Sequence, residues 1–118
     1  MIGKIVAAVL VLLTGCSYQD QKNNSDVTVA STYSSIRENI IVPKCLSCHN
    51  TSNASKGKDY STYAQVMATG SIVAAAPTQS SFYNQIRTGA MPKGGPSLSA
   101  QAVQAVSDWI QAGAAAEN

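Results

Sequence analysis

Apolar and polar positions fall into three regimes along the chain. Ile5 to Leu13 is an unbroken apolar run of nine residues. Ser17 to Ala30 is polar, rich in Asn, Gln and Asp and without helical period, which predicts a flexible tether. From Ser31 apolar residues return at helical spacing. Tyr33, Ile36, Ile40 and Ile41 predict a first helix, with Ser31 or Thr32 as N-cap and Pro43 ending it. Asn50 to Asp59 is rich in Ser, Asn, Gly and Lys and reads as a loop. Tyr60 to Ala68 predicts a short helix closed by Gly70. Ile72 to Ala76 is an apolar run compatible with strand or helix, interrupted by Pro77. Ser80 to Thr88 predicts a helix with Phe82, Tyr83 and Ile86 on one side and Gly89 past its end. Gly89 to Ser97 holds three glycines and two prolines and must be a loop. Ser99 then caps a last helix whose stripe is Ala102, Val103, Val106, Trp109 and Ile110, with Gly113 at its stop. No hairpin signal or repeat is found. The pattern predicts an all-α domain of about four short helices and long loops.

Composition adds a puzzle. The chain has 118 residues, at most one domain. Its hydrophobic fraction is 45%, but 17 of those residues are Ala, with one Phe and one Trp. A core so poor in bulky side chains is marginal for a domain of this size, so something else is expected to fill its centre. Net charge is +2, and basic runs, P-loops and GxGxxG fingerprints are missing, which argues against a nucleic-acid partner.

The N-terminus has the layout of a secretory signal: Lys4 supplies the positive charge and the apolar run is too short for a bilayer, which takes about 20 residues. Leu13-Thr14-Gly15-Cys16 resembles the lipobox of bacterial lipoproteins, which implies cleavage before Cys16 and lipidation of its sulfur. The expected organisation is residues 1–15 as signal peptide, 16–30 as lipidated Cys and tether, and 31–118 as the domain. Two or more acyl chains anchor firmly where one does not. Ser17, where an Asp would signal inner-membrane retention, favours the outer membrane by resemblance to enterobacterial sorting.

The chemistry concentrates in Cys45-Leu46-Ser47-Cys48-His49, which holds two of the three cysteines and the only histidine. Structural zinc needs four ligands, and with Cys16 committed to lipid only three candidates remain. A thioredoxin-like dithiol belongs near a βαβ pattern, which is missing here. Covalent c-type haem fits every residue: the two thiols add across the haem vinyl groups and His49 supplies Nε2 to the iron. Haem would also be the missing bulky core. The sixth iron position decides function. Met67 lies inside a helix and reads as a core filler. Met91, 42 residues after His49, lies in the glycine-rich loop, where the backbone can come near the macrocycle and Pro92 stiffens the approach.

CxxCH, "RTGAMPKGG" (Arg87 to Gly95) and "LSAQAVQAVSDWIQAGA" (Leu98 to Ala114), in that order, resemble a small class I monohaem cytochrome c over about Thr32 to Ala114. The resemblance implies a cytochrome c fold around one covalent haem, with Cys45 and Cys48 as thioether sites, His49 as proximal ligand and Met91 as distal ligand. It also implies that the first and last helices cross, bringing Tyr33, Ile36 and Ile40 near Val106, Trp109 and Ile110. One departure stands out. The family often has a proline about a dozen residues after the haem histidine, whose carbonyl accepts the ring N–H, but no proline occurs between Pro43 and Pro77. The partner of His49 Nδ1–H is therefore left open.

Lys44 and Lys93 flank the ligand segments and either rim a haem edge, steering an acidic partner, or are simply solvated. Trp109 and Tyr83 read as core. Arg87 either reaches a haem propionate or complements its helix dipole. The function these readings imply is a periplasm-facing, membrane-anchored carrier of single electrons between redox proteins such as oxidases, reductases or dehydrogenases. It is not an enzyme. The alternative is a haem-based sensor or ligand-binding subunit with a displaceable sixth ligand. A peroxidase would want a distal histidine, and His49 has no second histidine to serve with it.

Overall fold

The computed structural model describes residues 27–117. The expected signal peptide, Cys16 and the expected tether up to residue 26 lie outside the described residues.

Helix α1 (Tyr33–Ile36) starts where Thr32 Oγ1 accepts the Ser35 N–H at 3.3 Å, satisfying a donor that the first turn leaves without a partner. It runs directly into a π-helical turn, Arg37–Ile41, and then α2 (Val42–Lys44). Pro43 therefore does not end the helix. It sits in the first turn of α2, and the chain stays helical to Lys44. A proline ring in a regular helix clashes with the carbonyl four residues back. Here that residue, Asn39, lies in the wider π turn, where the Val42 N–H reaches back to the Arg37 carbonyl. The helix closes where Cys45 and Leu46 N–H both converge on the Ile41 carbonyl, at 2.9 and 3.0 Å.

Helix α3 (Tyr63–Ala68) begins later than expected, because Thr62 is the residue whose side chain caps it, accepting from Gln65 N–H. Gly70, at φ +69°, turns the chain after it. The apolar run Ile72 to Ala76 is neither strand nor helix. Its backbone is served by a side chain instead: fully buried Ser80 accepts from Val73 N–H at 2.9 Å and donates to the Ala76 carbonyl at 3.0 Å. Ala75 N–H meanwhile donates to Ile110 O at 2.8 Å. A single 3₁₀ turn, Pro77–Gln79, leads into α4 (Ser81–Arg87), which buries Phe82 and Ile86. Ser99 Oγ caps α5 (Ala100–Gln111), which buries Ala102, Ala105, Val106, Trp109 and Ile110.

α1 packs on α5 as the resemblance implies. Tyr33, Ile36 and Ile40 share one core with Val106, Trp109 and Ile110, and the Tyr33 and Trp109 rings lie 5.9 Å apart. Burying each such aliphatic side chain contributes about 1.5–3 kcal/mol. Trp109 Nε1 donates to the Ala115 carbonyl and Tyr63 Oη to the Ala114 carbonyl, both at 2.8 Å, which folds the C-terminal segment back over the core. The folded body also reaches past the expected boundary at Ser31. Val29 is buried, and the Gln101 side chain both accepts its N–H and donates to its carbonyl. Its period was invisible in sequence because one apolar residue against one helix makes no pattern. Among the described residues there is no strand, only an isolated bridge between His49 and Ala54. None of their helices is long and apolar enough to cross a membrane.

Ile36, fully buried between the terminal helices, sets the scale for this packing. Ile36→Ala is expected to lower the unfolding free energy by about 2–5 kcal/mol in urea titration. Gln101→Ala is expected to cost only about 1–2 kcal/mol, for its two bonds to Val29. A loss for Ile36→Ala no larger than that for Gln101→Ala would contradict this account.

Candidate functional site

A cavity of about 790 Å³ opens beside the α2 end, within the range of about 300–1,000 Å³ usual for small-molecule and cofactor sites. Cys45, Cys48, His49 and Met91 all line it. Residues separated by up to 46 positions in the chain, Cys45 and Met91, are thus brought to one space. Ile40, Tyr60, Phe82, Ile86 and Leu98 supply apolar wall. Met67 packs against the core instead and does not line the cavity.

The CxxCH segment is held by its own backbone. The Cys45 carbonyl accepts the N–H groups of Cys48 and His49, at 3.2 and 3.0 Å. This tight turn keeps both thiols and the imidazole on one short arc. Both cysteines are free thiols, Cys45 half-buried and Cys48 exposed. Burial pushes the Cys45 thiol up to about 11, against a smaller pull downward from Lys44. At neutral pH this thiol is protonated. Among the described residues no group of three or more His, Cys, Asp and Glu side chains is placed to hold a metal ion by itself.

The loop after His49 is built to fix the imidazole. Asn50 Oδ1 accepts the N–H groups of Ser52 and Asn53, both at 2.9 Å, which reverses the chain. Ser55 N–H then donates back to Cys48 O and Tyr60 N–H to His49 O. The His49 ring lies 5.0 Å from the Tyr60 ring, and Tyr60 in turn bonds buried Ser71 through its hydroxyl. His49 Nδ1 lies 3.0 Å from the Lys58 carbonyl. A carbonyl only accepts, so Nδ1 carries a proton, and in the neutral ring Nε2 is the nitrogen with the lone pair. The open question of the His49 partner is thereby answered: the acceptor is a lysine carbonyl nine residues on, with no proline involved. Any residue has a carbonyl, so side-chain patterning could not have located it.

Met91 enters from the loop after α4. Its N–H donates to the Gln85 carbonyl at 3.1 Å, and Gln85 also lines the cavity. The Met91–Pro92 peptide bond is cis. Gly89 lets the chain turn off α4 at φ +78°, and a Cβ there would stand 2.9 Å from Ser97 Oγ.

Lysines 44, 56, 58 and 93 all line the cavity, and no Asp or Glu does. Every lysine among the described residues is therefore at this one opening. Lys44 and Lys93 were legible from their place in sequence; Lys56 and Lys58 were not. Arg87 goes elsewhere. Its guanidinium lies 5.9 Å over the Tyr83 ring and bonds Asn84 Oδ1, and it lines a separate hollow of about 360 Å³. Tyr83 is half-buried against the core and Trp109 is wholly inside it.

The two loop glycines differ in what they tolerate. Gly89→Ala is expected to cost about 1–2 kcal/mol in urea unfolding, from left-handed strain plus the Ser97 contact. Gly95→Ala, whose Cβ would make an ordinary 3.6 Å contact with Pro92, is expected within about 0.5 kcal/mol of the parent. Equal losses at the two positions would refute this reading of the Met91 loop. No family model, curated protein or solved structure matches this chain.

Proposed function

We propose that the protein is a small monohaem cytochrome c, anchored through Cys16 on the periplasmic side of a membrane, that passes single electrons between redox proteins. The observation that carries the reading is the convergence of the CxxCH thiols, a His49 ring with Nε2 free, and Met91 on one apolar-walled cavity. The residues fit a covalent haem. Cys45 and Cys48 would hold it by thioether bonds, and His49 Nε2 and the Met91 thioether would ligate its iron. Bound there, haem supplies a one-electron iron couple whose potential His/Met ligation raises.

The chain's own residues then do five things. The Cys45–His49 turn places thiols and imidazole together. The Lys58 carbonyl keeps Nδ1 protonated and so directs Nε2 as the ligand atom. The walls from Ile40, Phe82 and Ile86 exclude water. The lysines put positive charge at the opening, which favours an acidic partner. Cys16 and its lipid keep the domain beside its membrane partners and raise their effective concentration. Making and breaking no substrate bonds, the protein acts as a carrier, not an enzyme.

A second reading, a haem-based sensor or ligand-binding subunit, draws on the exposure of residues 93–97 next to Met91, which would ease displacement of that ligand. Carbon monoxide separates the two: a carrier with a firmly closed sixth position resists it in the ferrous state at neutral pH, and a sensor takes it up.

The decisive measurement is the ferric absorption spectrum into the far red. The weak methionine–iron charge-transfer band is expected in the parent and absent in Met91→Ala. A parent spectrum of haem without that band sinks Met91 ligation, and no haem at all sinks the whole reading. For the partner surface, Lys44→Glu with Lys93→Glu is expected to slow electron exchange with an acidic redox protein about tenfold or more at low salt. The deficit should shrink as ionic strength passes about 0.1 M. A salt-independent deficit would exclude steering by these lysines.

A further inference from the structure

The residue whose carbonyl accepts from His49 has a second long-range attachment. Lys58 Nζ donates to the Thr69 carbonyl at 3.0 Å. Thr69 is the C-cap of α3, where the last carbonyls lack partners within the helix and a cation is favoured. Lys58 is half-buried and lines the cavity.

The backbone hydrogen bonds around it reach no other element, and the loop's other outward anchor is Tyr60, whose buried ring and hydroxyl meet Phe82 and Ser71. Lys56 and Gly57 sit in succession at φ +57° and +72°. The backbone bonds nearby, Ser55 N–H to Cys48 O, Gly57 N–H to Ala54 O, Lys58 N–H to Ser55 O and Tyr60 N–H to His49 O, all stay within residues 48–60. They tie the loop to the CxxCH segment itself. The Lys58 ammonium ties it to a different helix.

We propose that Lys58 is a positioning residue for His49: its ammonium, moored on the end of α3, holds its own carbonyl where that carbonyl fixes the imidazole. One residue thus does through backbone and side chain together what a rigid backbone acceptor does alone. The strap stands on the fold, and it rests on the functional reading only for what Nε2 ligates. It also sets Lys58 apart from the other lysines of the opening, since its charge is already engaged. Arg can replace it; an uncharged chain of similar length cannot.

The test compares the full chain as purified, in the reduced state, with Lys58→Met and Lys58→Arg. The readout is solvent exchange of His49 Nδ1–H by nitrogen-resolved NMR, with the Val106 and Ile110 amides of α5 as internal reference. Loss of the hydrogen bond from the Lys58 ammonium, a charged donor, is expected to quicken His49 Nδ1–H exchange in Lys58→Met about tenfold or more. The α5 amides should stay as in the parent, and Lys58→Arg should restore slow exchange. Three results overturn the proposal: Nδ1–H as slow in Lys58→Met as in the parent, quickening matched by the α5 amides, or Lys58→Arg behaving like Lys58→Met. If Lys58→Met does not accumulate, Lys58→Gln, which also removes the charge, is read in the same way. Haem content of the same samples reports separately on function. A parent without haem would end the cytochrome reading, while the exchange comparison still decides the role of Lys58.

Discussion

Ile36 and Tyr33 packed against Val106, Trp109 and Ile110 close the two ends of the folded body on each other. Everything between them is short helix and loop, too slight to hold a shape alone, since isolated helices under about a dozen residues are marginal in water. Once α1 is seated on α5, the path of the intervening chain is bounded. α2 must end near the cavity, and α4 must return beside α5. The smaller attachments then act locally: Ala75 N–H on the Ile110 carbonyl, Tyr63 on Ala114, Gln101 on Val29.

The cavity follows from the same constraint. The α1–α2 rod brings the CxxCH turn to one side of it, and the loop leaving α4 brings Met91 to the same space. Polar groups in this region are satisfied by side chains in place of a sheet, Ser80 serving Val73 and Ala76 and Asn50 serving Ser52 and Asn53. Backbone groups outside regular structure still need partners, and here short polar side chains supply them. That leaves the apolar wall of the cavity to a few large residues, Ile40, Tyr60, Phe82, Ile86 and Leu98.

Much of this was legible from residue order. α5 announced itself through a capping serine, a full apolar stripe and a terminal glycine, all local signals of one helix. The CxxCH spacing marked where two thiols and the imidazole stand together, and the glycines and prolines around Met91 marked a loop. Errors came where local signals met tertiary context. Pro43 reads as a stop, but the π turn ahead of it lets the helix pass. Ile72 to Ala76 reads as regular structure, but Ser80 takes over its backbone.

What the sequence by itself determined is the type of residue at each chemical position and the helices whose faces repeat: two thiols, one imidazole, one loop methionine, and an all-α frame. Those are carried by side chains, which a sequence spells out. Only the tertiary structure decided that these groups share one cavity, that the Lys58 carbonyl holds His49, that every described lysine gathers at the same opening, and that Arg87 does not. Backbone acceptors are the same in every residue, and lysines scattered over 50 positions have no period. Their meaning comes from which carbonyl or ammonium the fold brings within about 3 Å of a partner.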